Sequence, residues 1–168
     1  MKLTKNQLSL RKLKEKYEKY TYLREKEALA AVKQNADALR YVKAQTPEIC
    51  LAAVKQNGYT LRYVNEQTPE ICLAAVKENG DALRYVKAQT EEICLAAVKQ
   101  NGFALQYVNE KTPEICLAAV KEYSDALQYV NPKIFESIED EDMIDLGDGI
   151  ILSKESIKSL IQKNLNAF

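Results

Sequence analysis

The sequence has no histidine, and its 24 lysines and arginines are matched by 24 aspartates and glutamates, leaving no net charge. The first absence removes the commonest general base and the commonest metal ligand together. The second argues against a protein whose main work is electrostatic binding to nucleic acid, which needs a net basic surface. Only 5 glycines and 4 prolines are present, while Ala, Leu, Lys, Glu and Gln abound, a composition that favours helix over strand. No run approaches the roughly 18 apolar residues of a membrane span. The opening stretch MKLTKNQLSLRKLKEKYEKY has no apolar core long enough for a secretory signal. The four cysteines are not in close pairs. The expectation is a soluble, cytoplasmic protein with reduced thiols, no membrane partner and no cofactor.

What is abundant is repetition. The stretch TPEICLAAVKQNG begins at Thr46 and returns, nearly unchanged, from Thr68, Thr90 and Thr112. The Thr, Ile, Cys, LAAVK, Leu and YV positions recur every 22 residues, and a degenerate first copy fills 24–45, with Ala28 where cysteine stands later. About five such units exceed the roughly three that a repeat stack needs to bury a continuous core. Each unit reads as two short helices. Thr46 suits an N-cap and Pro47 the first helical position. Glu48 and Lys55 complement the helix dipole, and Gly58 suits a left-handed residue that ends the helix. Ile49 with Ala53, and Cys50 with Val54, lie four apart and form one broad apolar stripe, which Leu51 and Ala52 widen. A helix so widely apolar needs neighbours on both sides. The fold class that follows is all-α: a right-handed α-solenoid of about five 22-residue two-helix repeats.

A second period overlies the first. The residue after the Gly position runs Asp37, Tyr59, Asp81, Phe103, Asp125, and Ala44, Glu66, Ala88, Glu110 alternate too, as if a 44-residue unit had been duplicated. The aspartates are expected to cap the short helix; Tyr59 and Phe103 cannot, and so pack or are displayed.

AAVKQNGYTLRYVNEQTPEIC and AAVKENGDALRYVKAQTEEIC resemble the repeats of the bacterial and viral family called domain of unknown function 4116, whose pattern is Ala-Val-Lys, Asn-Gly, then Ala-Leu-x-Tyr-Val. The resemblance spans roughly 24–131. It implies an all-helical repeat scaffold without an assigned activity, and it carries no catalytic residues to transfer.

The row Cys50, Cys72, Cys94, Cys116 has a metal or redox reading and a packing reading. Neighbouring helices pack about 8–10 Å apart, beyond the roughly 7 Å between Cα atoms that a disulfide tolerates and wider than a zinc site whose bonds are about 2.3 Å. Ala28 at the same place in the first copy favours packing, with cysteine as a small apolar residue. The rows Arg40, Arg62, Arg84, Gln106, Gln128 and Tyr41, Tyr63, Tyr85, Tyr107, Tyr129 place cations beside aromatics, a pattern able to bind single-stranded nucleic acid or phosphopeptides. The cations fade in the last two units, and each tyrosine is expected half-buried. Asn35, Asn57, Asn79 and Asn101 are expected to end the first helix or to bond a neighbouring repeat.

Residues 1–23 read as an N-terminal capping helix with Leu10, Leu13, Tyr17 and Tyr20 on one side, and 24–133 as the array. Residues 134–168 read as a C-terminal cap: an acidic 139–148 segment, then a helix capped by Ser153 with Ile157, Leu160, Ile161 and Leu165 on its apolar face. Asp140, Asp142, Asp145 and Asp148 do not match the ligand spacing of the helix–loop–helix calcium site. Residues 1–24 hold eight basic and two acidic side chains, and 133–168 four basic and eight acidic. That separation could steer weak head-to-tail self-association. No nucleophile–base pair, phosphate loop or metal cluster is visible, so the expectation is a non-catalytic scaffold for a protein or peptide. Its contact residues are those that vary between copied units: Tyr59, Phe103, Arg40, Arg62 and Arg84. Single-stranded nucleic-acid or phosphopeptide binding through the Arg/Tyr row is the alternative.

Overall fold

The computed structural model describes residues 11, 12, 15, 24–135, 143–145, 151–153 and 155–159. The remainder of the N-terminal cap and of the acidic segment, and with them Leu10, Leu13, Tyr17, Tyr20, Asp140, Asp142, Asp148, Leu160, Ile161 and Leu165, lie outside the described residues.

Thr46 fixes where the first full repeat begins. Its backbone is extended, its hydroxyl accepts the Ile49 N–H, and Pro47 follows at the helix start, giving α2 at Pro47–Gln56. The same threonine cap opens α3 (Pro69–Glu78), α4 (Glu91–Gln100) and α5 (Pro113–Glu122). Residues 24–34 are helical as well and form α1. Each helix is followed by a six-residue 3-10 helix: η1 (Ala36–Tyr41), η2 (Gly58–Tyr63), η3 (Gly80–Tyr85), η4 (Gly102–Tyr107) and η5 (Ser124–Tyr129). A short η6 (Pro132–Phe135) ends the series. The second element of every repeat is thus a 3-10 turn pair rather than an α-helix. Its bonds span three residues, as from Thr60 N–H to the Asn57 carbonyl and from Val64 N–H to the Leu61 carbonyl.

The α-helices α2 to α5 stand side by side in sequence order, the 3-10 helices do the same, and η2, η3 and η4 each pack against their own α-helix and the next. This is an all-α repeat solenoid of two layers. Ile49, Cys50, Ala53 and Val54 are buried in α2, and so are their counterparts in α3, α4 and, apart from the half-buried Val120, α5, joined by Leu39, Leu61, Leu83, Leu105 and Leu127 from the 3-10 layer. Leu51 and Ala52, with their counterparts, are half-buried at the margin of this core.

Two of the sequence expectations are corrected. Asn57, not Gly58, closes α2: it is extended at φ −152°, its N–H bonds the Ala53 carbonyl, and no left-handed residue is needed. Gly58 is small because a Cβ there would run into the Ala75 carbonyl oxygen of the next repeat; at Gly80 and Gly102 the same clash, with Ala97 and Ala119, would fall at 2.5 Å. Nor do the aspartates cap the short helices. Asn35, Asn57, Asn79 and Asn101 do so, each accepting the N–H two residues on, from Asp37, Tyr59, Asp81 and Phe103 at 3.0–3.1 Å. Because only the N–H of that position is used, aspartate and aromatic residues fit there equally.

Beyond the array, β1 (Met143–Asp145) and β2 (Ile151–Ser153) form an antiparallel hairpin with Ile144 opposite Leu152. Residues 155–159 are helical and form α6. Ser153 Oγ accepts the Ser156 N–H at 3.2 Å, as an N-cap does, and Ile157, 2% exposed, joins the array's core. Among the described residues no helix is long and apolar enough to cross a membrane.

Candidate partner-binding edge

The junctions between repeats carry a polar device that the sequence shows only as a recurring Gln45, Gln67, Gln89. Each half-buried amide spans one junction. Gln67 Nε2 donates to the Tyr85 carbonyl at 2.9 Å, and its Oε1 accepts the Lys87 N–H at 3.0 Å and the Cys72 thiol at 3.6 Å. Gln45 does the same with Tyr63, Asn65 and Cys50, and Gln89 with Tyr107, Asn109 and Cys94. These bonds fix the chain just after each 3-10 helix and so set the register of the tyrosine row. Lys111 takes the fourth place and turns back to the Val108 carbonyl at 3.4 Å. All four cysteines are buried and free. Burial pushes every one of their thiols up, that of Cys116 to about 11 against a small opposing pull from Lys111. A thiol held neutral in this way is a packing group and a poor nucleophile.

On the exposed side of the 3-10 layer the arginines and tyrosines form a ladder. The Arg40 guanidinium carbon lies 4.9 Å from the Tyr41 ring centre and 5.9 Å from that of Tyr63. Arg62 lies 4.6 Å from the same Tyr63 ring. Arg84 is surrounded by three rings, Tyr85 at 4.9 Å, Tyr59 at 5.2 Å and Tyr107 at 5.7 Å. These are cation–π distances. Tyr63, Tyr85, Tyr107 and Tyr129 are half-buried, whereas Tyr41, at the first repeat, is 75% exposed. Arg62 also approaches Asp37 Oδ1 at 4.0 Å, an oxygen that is buried although both side chains are partly exposed. The glutamines that replace arginine later fold back instead: Gln106 donates to the Phe103 carbonyl at 3.1 Å and Gln128 to the Asp125 carbonyl at 2.9 Å.

Tyr59 and Phe103, forty-four residues apart, line the same groove on this edge. The Tyr59 hydroxyl donates to Asp81 at 3.4 Å, and the ring stands edge-on to Tyr85 at 6.4 Å. Asn101 Nδ2 donates to the other Asp81 oxygen at 3.1 Å. Phe103 lies 5.3 Å from the Tyr123 ring, itself half exposed, and edge-on to Tyr129 at 6.5 Å. Tyr59, Asp81, Asn101, Phe103 and Tyr123 line one open groove of about 390 Å³, with Asn79 and Gln100. The five residues singled out from sequence therefore lie along one continuous edge: Arg40 and Arg62 share Tyr63, Arg84 covers Tyr59, and Phe103 shares Tyr59's groove. A separate groove of about 360 Å³ lies on the α-helix layer between Lys55, Leu73, Ala74 and Lys77. Among the described residues no three His, Cys, Asp or Glu side chains cluster as a metal site would need.

The model of the family described as domain of unknown function (DUF4116) matches the chain twice, over residues 46–89 and 90–135. The chain belongs to that family. Each match spans two 22-residue repeats, so the family unit coincides with the 44-residue period on which Tyr59 and Phe103 alternate with aspartate. No curated protein and no solved structure matches the chain.

Proposed function

We propose that this protein is a non-catalytic repeat scaffold that binds a protein or peptide partner along its 3-10 edge. One observation carries the reading: several of the residues that differ between otherwise copied repeats lie on one strip of guanidinium and aromatic groups. In the four full copies the threonine caps, the LAAVK alanines and the cysteines that build the stack repeat without change. Those on the strip vary, as the residues of a recognition surface do. Aromatic and arginine side chains give large contact area with few rotatable bonds, the composition of binding hot spots. The buried, raised-pKa thiols support the absence of nucleophilic chemistry. The test is selection of a displayed peptide library on the wild-type protein and on a Tyr59→Ala/Phe103→Ala variant whose helicity is verified by circular dichroism. Peptides enriched on the wild type are expected to lose at least about tenfold in affinity for the variant, the effect of removing two hot-spot side chains. Equal affinity for both proteins would refute the reading.

A further inference from the structure

The edge is not uniform, and the differences along it point to the chemistry of its ligand. Arg40, Arg62 and Arg84 occupy the same place on η1, η2 and η3, and all three are exposed. Each has its guanidinium carbon within 4.9 Å of a tyrosine ring centre. A guanidinium presents its N–H groups in a planar fork that matches a carboxylate. Contact with a ring also restrains a side chain that would otherwise lose much rotamer freedom on binding. Arg62 alone has a carboxylate nearby, Asp37 at 4.0 Å; among the described residues Arg40 and Arg84 have no ion-pair partner. The positive run is extended by Lys43 and Lys87, both exposed and three residues beyond Arg40 and Arg84. It stops at the fourth repeat, where Gln106 and then Gln128 close onto their own turns.

The tyrosine faces decide between ligands. A single-stranded nucleic acid binds such an edge by stacking bases on open rings, yet here the rings of Tyr63, Tyr85 and Tyr59 are already covered by guanidinium groups. What remains available are three exposed cations at equivalent positions of successive repeats. Packed helices repeat at about 8–10 Å, and a polyproline II segment, with three residues per turn at about 3.1 Å each, returns to the same face at about that interval.

We propose that η1, η2 and η3 form a site for an extended peptide with an aspartate or glutamate at every third residue, its carboxylates seated on Arg40, Arg62 and Arg84. This rests on the peptide-binding reading above and names the ligand chemistry for its first three repeats. The test is fluorescence anisotropy at low salt with a labelled proline-rich peptide bearing aspartate at every third position. Controls are the same peptide with asparagine at those positions and a labelled single-stranded RNA. The variant is Arg40→Gln/Arg62→Gln/Arg84→Gln, chosen because glutamine already stands at the equivalent places in η4 and η5 and is compatible with the fold. The expected result is salt-sensitive binding of the aspartate peptide, weakened at least about tenfold by the asparagine exchange and again by the triple variant. Equal binding of the aspartate and asparagine peptides, tighter binding of the RNA, or an unchanged affinity in the triple variant would each overturn the inference. If the aspartate peptide fails while library-selected peptides still need Tyr59 and Phe103, the acidic ligand is wrong and the peptide-binding reading stands. If both fail, both are wrong.

Discussion

Gln67 illustrates how much one side chain settles in this protein. Its amide satisfies a carbonyl at Tyr85 and an N–H at Lys87 across a repeat junction, while its oxygen also receives the Cys72 thiol. Replacing it with leucine keeps the volume roughly but leaves two backbone groups without that partner, and an orphaned, partly buried group costs about 1–3 kcal/mol. Gln67→Leu is expected to lower unfolding stability by that amount in urea titration, and Glu66→Ala, one residue away and exposed, to change it little. A polar residue at a unit's end reads as solvated from sequence, because its partners are main-chain groups about twenty residues distant. The cysteine row was legible, since Ala28 at the equivalent place already marked it as packing. The caps were half legible: Thr46 behaves as its position foretold, whereas Gly58 answers to a neighbour's carbonyl that no single repeat reveals.

At the scale of the element, the difference between an expected helix and the observed 3-10 piece has a local cause. Asn57 is extended and captures the Tyr59 N–H, so the chain re-enters helical geometry with only six residues before Val64 turns away. So short a segment closes three-residue bonds more readily than a full α-turn. The 3-10 layer is then held at each end by glutamine staples, except at the last junction. There Lys111 stands in the staple's place, and a lysine cannot accept the bonds that Gln45, Gln67 and Gln89 accept. Lys111→Gln is expected to recreate the staple to the Tyr129 carbonyl and the Asn131 N–H and to stabilise the array by about 1 kcal/mol. In hydrogen exchange the gain should appear first in η5. A change that destabilises, or leaves η5 protection untouched, would show that the last junction is built differently. A second set of staples follows the longer period: Gln56 binds the Ala36 N–H and Gln100 the Gly80 N–H, both at 2.6 Å, while Glu78 and Glu122 occupy the alternate places. The 44-residue unit is thus a structural unit as well as a sequence one.

For the whole molecule, the two-layer array follows from a period of 22 residues, because an apolar surface that nearly encircles each α-helix is satisfied only by neighbours of the same kind. The placement of Tyr59, Phe103, Arg40, Arg62 and Arg84 on one edge was not legible in that way. It depends on the 3-10 helices stacking in their own row, which sets Tyr59 against Asp81 and Tyr85 and places Phe103 in the same groove. The sequence showed that these positions vary; the fold shows that they vary together in space. The most direct measurement is an amide-resolved NMR titration of the wild-type protein with a library-selected peptide. The expected result is that the amides of Arg40, Tyr59, Arg62, Arg84 and Phe103 shift while those of Leu73, Ala74 and Lys77, on the α-helix layer, hold their positions. Shifts confined to Leu73, Ala74 and Lys77, with the 3-10 row unmoved, would contradict it.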